Sequence, residues 1–67
     1  MQTALLRLPQ VRSKTGLSRS EVYRREKLGE FPRRVSLGAR SVGWLAEEVD
    51  AWIMERVRES RNGGATK

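Results

Sequence analysis

The chain predicts a mainly α-helical fold with one small β-hairpin, and three observations carry that prediction. Leu45, Val49, Trp52, Ile53 and Val57 recur at i, i+4, i+7, i+8 and i+12, which is one face of a helix. Ser18 and Glu21 form an S-x-x-E capping box, with Leu17 and Val22 placed to staple it. Between Arg33 and Trp44 the apolar period falls to two, with Val35 and Leu37 on one strand and Val42 and Trp44 on another. A chain of 67 residues makes one small domain, whose core needs nearly every large apolar side chain it has.

In chain order, Leu5, Leu6 and Leu8 form an apolar run that suits either a small strand or a segment laid on the core. Pro9 fits the first turn of a helix, and Pro9 to Lys14 reads as a short helix with Val11 inward and Gly16 as its stop. The second helix runs from Ser18 to about Leu28, where Gly29 ends it. Phe31 is expected to fold back onto the core, and Pro32 bars any continuation. Only Thr15-Gly16-Leu17 separates the two helices, the layout of a helix-turn-helix. Gly38-Ala39 is the candidate hairpin turn. An isolated hairpin is marginal, so Val35, Leu37, Val42 and Trp44 are expected to lean on the helices. The last helix starts with Glu47, Glu48 and Asp50 and ends near Arg56 and Arg58, an order that complements its dipole. Residues 1–58 are read as one domain and residues 59–67 as a disordered tail.

Composition excludes several classes of function. There is no cysteine and no histidine, so neither a disulfide framework nor an ordinary zinc site is expected, and no cofactor is implied. Without those side chains, and with carboxylates spaced only as solvated helix faces space them, the chain does not read as an enzyme. No apolar run is long enough for a membrane span and the first ten residues lack a signal-peptide layout, so a cytoplasmic location is expected.

Charge points to a partner. Lys and Arg number 14 against 8 Asp and Glu, a net +6. Residues 1–44 hold ten basic and three acidic side chains, whereas residues 45–67 hold four and five. One sign concentrated in one part of a small domain suits a polyanion, although basic surface also serves solubility.

The second helix sharpens this reading. With Val22 at zero and about 100° per residue, Ser20, Tyr23, Arg24 and Lys27 fall between about 100° and 200°, and Arg19 near about 60°. That face carries no acid. Lys and Arg neutralise phosphates, Arg can also grip a guanine edge with two hydrogen bonds, and Ser can bond several base edges. The second helix of a helix-turn-helix presents its first turns to the bases. The candidate DNA-reading residues are therefore Ser18, Arg19, Ser20, Tyr23, Arg24 and Lys27. Tyr23 suits the core rim equally well, with its hydroxyl outward. Arg33, Arg34 and Arg40 are candidates for a basic wing on the DNA backbone, where a solvated hairpin edge is the plainer alternative. Trp44 and Trp52 share sides with core residues and are expected to pack there, not to stack on bases.

Six motifs in order give the chain a resemblance. They are R-L-P-x-V at Arg7 to Val11, T-G-L-S-R-S at Thr15 to Ser20, V-Y-R at Val22 to Arg24, G-x-F-P at Gly29 to Pro32, L-G-x-R-x-V-G-W at Leu37 to Trp44, and E-V-D-A-W-I at Glu48 to Ile53. Together they resemble the AlpA family of short phage and prophage transcriptional regulators, itself similar to excisionases and to the DNA-binding part of MerR proteins. The resemblance implies a winged helix-turn-helix. Its second helix reads DNA through Arg19, Ser20, Tyr23 and Arg24, and Arg40 serves as the wing arginine. The chain departs from the family at Arg25 and Glu26, where apolar residues are common, and at Ser36, where Lys or Arg is common.

The leading reading is a sequence-specific binder of double-stranded DNA that regulates transcription for a phage or mobile element. A single module this small makes few base contacts, so strong specificity needs repeated sites or self-association. An excisionase that bends DNA and organises an integrase complex uses the same surface and is the alternative. A small interaction module such as an antitoxin is a third reading, and its sign is an exposed apolar patch.

Overall fold

The computed structural model describes residues 4–62. A short strand β1 (Leu5–Leu6) leads into helices α1 (Leu8–Thr15) and α2 (Arg19–Lys27). The hairpin β2 (Val35–Gly38) and β3 (Ser41–Leu45) follows, and helix α3 (Ala46–Asn62) ends the described chain. The fold is mainly helical with a small antiparallel sheet, compatible with a winged helix-turn-helix.

The leucine run resolves as a strand. β1 pairs with β3 through Leu5 opposite Leu45 and Leu6 opposite Trp44, so β3 is central and the sheet order is β1-β3-β2. Ala46 N–H bonds the Ala4 carbonyl at 2.8 Å, which carries the pairing into the start of α3. The hairpin thus gains a third strand and does not depend on the helices alone.

Local chemistry fixes both helices of the helix-turn-helix. The Gln10 side chain reaches back to accept from the Arg7 N–H at 2.8 Å, capping α1 ahead of Pro9. At the other end the Thr15 hydroxyl donates to the Val11 carbonyl at 2.7 Å and accepts from Leu17 N–H at 3.2 Å. Gly16 turns the chain at φ +77°, where a β-carbon is disfavoured. Ser18 Oγ accepts from Glu21 N–H at 3.2 Å, as the S-x-x-E pattern predicts. The Glu21 carboxylate does not complete the box, because Arg24 and Arg25 take it. α2 ends in a Schellman turn, with Gly29 N–H to the Glu26 carbonyl and Glu30 N–H to the Arg25 carbonyl.

Val11, Val22, Phe31, Trp44 and Val49 form the buried core, one residue from each of α1, α2, β3 and α3 and Phe31 from the segment after α2. Leu6, Leu8, Leu17, Tyr23, Val42, Trp52 and Ile53 pack around it. Phe31 meets Trp52 edge-on at 4.9 Å between centroids, and the Trp52 indole N–H donates to the Glu30 carbonyl at 2.8 Å. Both tryptophans therefore pack as the sequence predicts, Trp44 fully buried and Trp52 half-buried.

Three expectations need correction. Val35 and Leu37 do not lean on the helices: both are exposed. Val35 pairs with Gly43, one residue from Trp44, and alternation puts that pair on the opposite face of the sheet. A β-carbon on Gly43 would lie 3.1 Å from a Leu37 methyl and 3.7 Å from Leu5, so Leu5, Val35 and Leu37 form an apolar outer face. The hairpin turn falls at Ala39-Arg40, not Gly38-Ala39, because an irregularity in pairing follows Ser36. α3 continues to Asn62, so residues 59–62 are helical although the sequence assigned them to the tail. Met1 to Thr3 and the rest of that tail, residues 63–67, lie outside the described residues.

Candidate nucleic-acid interface

Five of the nine sequence-predicted residues converge where α2 meets the hairpin. Tyr23, Lys27, Arg33, Arg34 and Arg40 line one open cleft of about 860 Å³ together with Glu26 and Val42. Arg19 joins this group through Tyr23, its guanidinium lying 5.8 Å from the ring centroid. Arg34 covers the same ring at 5.3 Å. Tyr23 serves both readings made of it: it packs against the core with its ring 6.3 Å from that of Trp44, and it lines the cleft. Ser20 and Arg24 on α2, and Ser18 at its N-cap, are exposed but do not line the cleft.

Pairing sorts the basic residues. Among the described residues Arg7, Arg12, Arg19, Lys27, Arg33, Arg40 and Arg61 make no ion pair. Lys14 is committed to Asp50 at 2.7 Å, and Arg34 to Glu26 at 2.8 Å. Arg56 and Arg58 pair with Glu59 and Glu55 along α3. Arg61 lies on α3, and the other six unpaired charges lie on or beside α1, α2 and the hairpin. Arg12 was not singled out from sequence. It lines a notch with Ser13, Gly16 and Ser18 at the turn between the helices, and only the folded turn brings these residues together.

The acid-free face has an acidic border. Glu21 stands at its border and holds Arg24 with a bidentate pair at 2.9–3.2 Å, while Arg25 Nε donates to the same carboxylate at 3.0 Å. The hydrogen bonds of Arg24, then those of Arg25, hold the Glu21 carboxyl below its usual range. Glu21 in turn raises the Arg24 pKa. Helix spacing foreshadows both contacts, since Glu21 precedes these arginines by three and four residues. No group of acidic residues that could hold a metal occurs among the described residues, and no helix is long and apolar enough to cross a membrane.

Residues 4–57 match the family described as prophage CP4-57 regulatory protein (AlpA). The chain belongs to the AlpA family. It is 45% identical over 62 residues to a protein of Enterobacteria phage P4 described as uncharacterized protein ORF88, with 92% of this chain and 70% of that protein covered. It is 37% identical over 60 residues to the DNA-binding transcriptional activator AlpA of Escherichia coli (strain K12), with 81% of this chain and 86% of that protein covered. Within this AlpA-family chain, two of the three positions that depart from the expected pattern, Arg25 and Glu26, are ion-paired. Arg25 holds Glu21, and Glu26 holds Arg34. These charged pairs tie α2 to itself and to the segment that enters the hairpin.

Proposed function

We propose that this AlpA-family protein binds double-stranded DNA and regulates transcription for a phage or mobile element. In this reading α2 enters the major groove with Ser18, Arg19, Ser20, Tyr23, Arg24 and Lys27 facing the DNA, and Arg33, Arg34 and Arg40 of the wing hold the flanking backbone. Arg12, at the turn of the helix-turn-helix, is suited to a phosphate on the near side. The observation that carries the proposal is the gathering of unpaired basic residues on α2 and the hairpin, about one half-buried tyrosine. The likeness to a DNA-binding transcriptional activator supports it.

Arg34 has a double role in this scheme. Glu26 already holds it, so it fixes the wing beside α2 as much as it meets phosphate. Arg33 and Arg40, unpaired and exposed, are the freer phosphate ligands. A module with so few base contacts reaches high specificity through repeated sites or self-association.

Selection of bound sequences from random duplex DNA tests the proposal. An enriched motif, bound with an affinity that falls steeply with salt, supports it. A pool that stays unenriched, or binding indifferent to salt, refutes it. Footprinting on an attachment site against a promoter separates a transcriptional regulator from an excisionase.

A further inference from the structure

Glu21 holds Arg24 by one edge only. A guanidinium offers two forks: a side-on fork of Nε–H and Nη2–H, and an end-on fork of Nη1–H and the other Nη2–H. Arg24 Nε donates to Glu21 Oε2 at 3.2 Å, and Nη2 donates to Oε1 and Oε2 at 2.9 and 3.1 Å. That is the side-on fork. Nη1 has no protein acceptor among the described residues, and the Arg24 side chain is 57% exposed. The end-on fork therefore remains open to a ligand.

Arg25 completes the arrangement. Its Nε donates to Glu21 Oε1 at 3.0 Å, and its own side chain is only 30% exposed. The carboxylate is thus held from a second side by a residue nearer the protein body. The three charged groups carry a net +1, where two unrestrained arginines would carry +2.

We propose that Glu21 is a specificity-determining positioning residue, which holds Arg24 by its side-on fork and presents the end-on fork to the O6 and N7 of a guanine in the major groove. The inference rests on the DNA-reading role of α2 proposed above. An unrestrained arginine satisfies itself on any phosphate, because the backbone offers anions everywhere. A pinned guanidinium has already given up its side-chain freedom, so a base edge of matching geometry costs it less to bind. The nearby carboxylate also repels phosphate, which lowers binding to DNA of any sequence. Glu21 thereby acts in both directions that define specificity: it favours the matching edge and disfavours the backbone.

The test uses the full chain, wild type and Glu21→Gln, on the selected duplex and on a scrambled duplex over a range of salt. A third duplex carries 7-deazaguanine, which lacks the N7 acceptor, at each selected guanine in turn. Wild type should lose about tenfold in affinity at one 7-deazaguanine position, the low end of what a bidentate base contact contributes. Glu21→Gln should shrink that penalty several-fold. It should also bind scrambled DNA more tightly, with a log–log salt slope steeper by about 0.9 for each arginine released to phosphate. Arg24→Ala should abolish the same penalty, and adding Glu21→Gln to it should change nothing at that position.

A gain on scrambled DNA is a readout that loss of helix stability cannot produce. A Glu21→Gln protein with an undiminished 7-deazaguanine penalty overturns the proposal, as does one that loses both duplexes together. A selected site with no sensitive guanine overturns it too, while leaving DNA binding by α2 intact. Wild type that binds no duplex DNA overturns the DNA-reading role itself, and the proposal with it.

Discussion

The Glu26 carboxylate accepts two hydrogen bonds from one residue, the backbone N–H of Arg34 at 2.6 Å and its guanidinium at 2.8 Å. Its side chain is 10% exposed, so this is the most enclosed ion pair among the described residues. It spans eight positions of sequence and ties the end of α2 to the segment entering the wing. Glu26→Ala leaves the Arg34 N–H without its acceptor and frees the wing. With Arg34 itself 46% exposed, the expected loss is about 1–2 kcal/mol, below the full range for charged hydrogen bonds. Urea denaturation checks it, with Glu59→Ala as a surface-pair control that should cost under about 0.5 kcal/mol.

Trp44 is fully buried, yet its indole N–H has no hydrogen-bond partner among the described residues. Truncation and trimming should therefore differ sharply. Trp44→Ala empties the middle of a small core at a cost of roughly 3–5 kcal/mol, which approaches the whole stability of such a domain. Trp44→Phe loses area but also removes an unsatisfied buried donor, and should cost only about 1 kcal/mol. Thermal melts of the two variants decide it: equal losses would mean that the indole N–H has a partner after all. Met54, 62% exposed on α3, should tolerate Ala within about 0.5 kcal/mol.

What could be read from the sequence follows from the range of the forces involved. Local signals were sufficient for α1, α2 and the capped start at Ser18, because cap and turn chemistry act within four residues. The 3.6-residue period gave α3, and the basic residues of α2 and the hairpin were found by type and spacing. Non-local facts were out of reach. β1 becomes a strand only because β3 lies beside it. Val35 and Leu37 alternate correctly for a strand, but the sequence does not say which face of β2 meets the core, and the register against Gly43 turns them outward. The pairing of Glu21 lay within reach of helix spacing. That of Glu26 did not, since it depends on how the wing folds back.

Acid should weaken the fold through the carboxylates that arginines hold. Arg24 lowers the pKa of Glu21, and Arg58 that of Glu55, each from an ordinary value of 4.5. A carboxyl with a lower pKa folded than unfolded takes up a proton on unfolding. Its contribution is present above pH 4.5 and is lost as pH falls through the folded value. Melting temperature should hold between pH 7 and about pH 5 as far as these groups govern it, then fall. The double variant Glu21→Gln, Glu55→Gln should flatten that fall, and salt should shrink it, because both pairs are on the surface. Melts followed by circular dichroism across this range test the sign.

Charge and readout should separate by mutation. Lys27→Ala and Arg33→Ala remove unpaired charges of the cleft. Each should weaken cognate and scrambled duplex alike and lower the salt slope by about 1. Arg24→Ala should instead lower discrimination, with little change in affinity for scrambled DNA. Titrations at several salt concentrations distinguish the two patterns. An Arg24→Ala protein with intact discrimination would remove α2 from base reading.

Arg40 sits at the hairpin tip with φ +63°, the one described non-glycine residue in the left-handed region. An L-residue there costs roughly 1–2 kcal/mol relative to the right-handed region, and such strain is usually kept for a reason other than stability. The position opposes two demands. Glycine would relax the backbone, whereas arginine places an unpaired charge on the rim of the cleft. Arg40→Gly should leave stability unchanged or raise it by about 0.5–1 kcal/mol, the relief of strain being partly offset by glycine's extra freedom when unfolded. The same variant should bind duplex DNA several-fold more weakly, with a salt slope lower by about 1. Denaturation and DNA titration on one preparation test both halves. A destabilised Arg40→Gly would mean that the arginine side chain supports the turn, and unchanged binding would take the wing tip out of the interface.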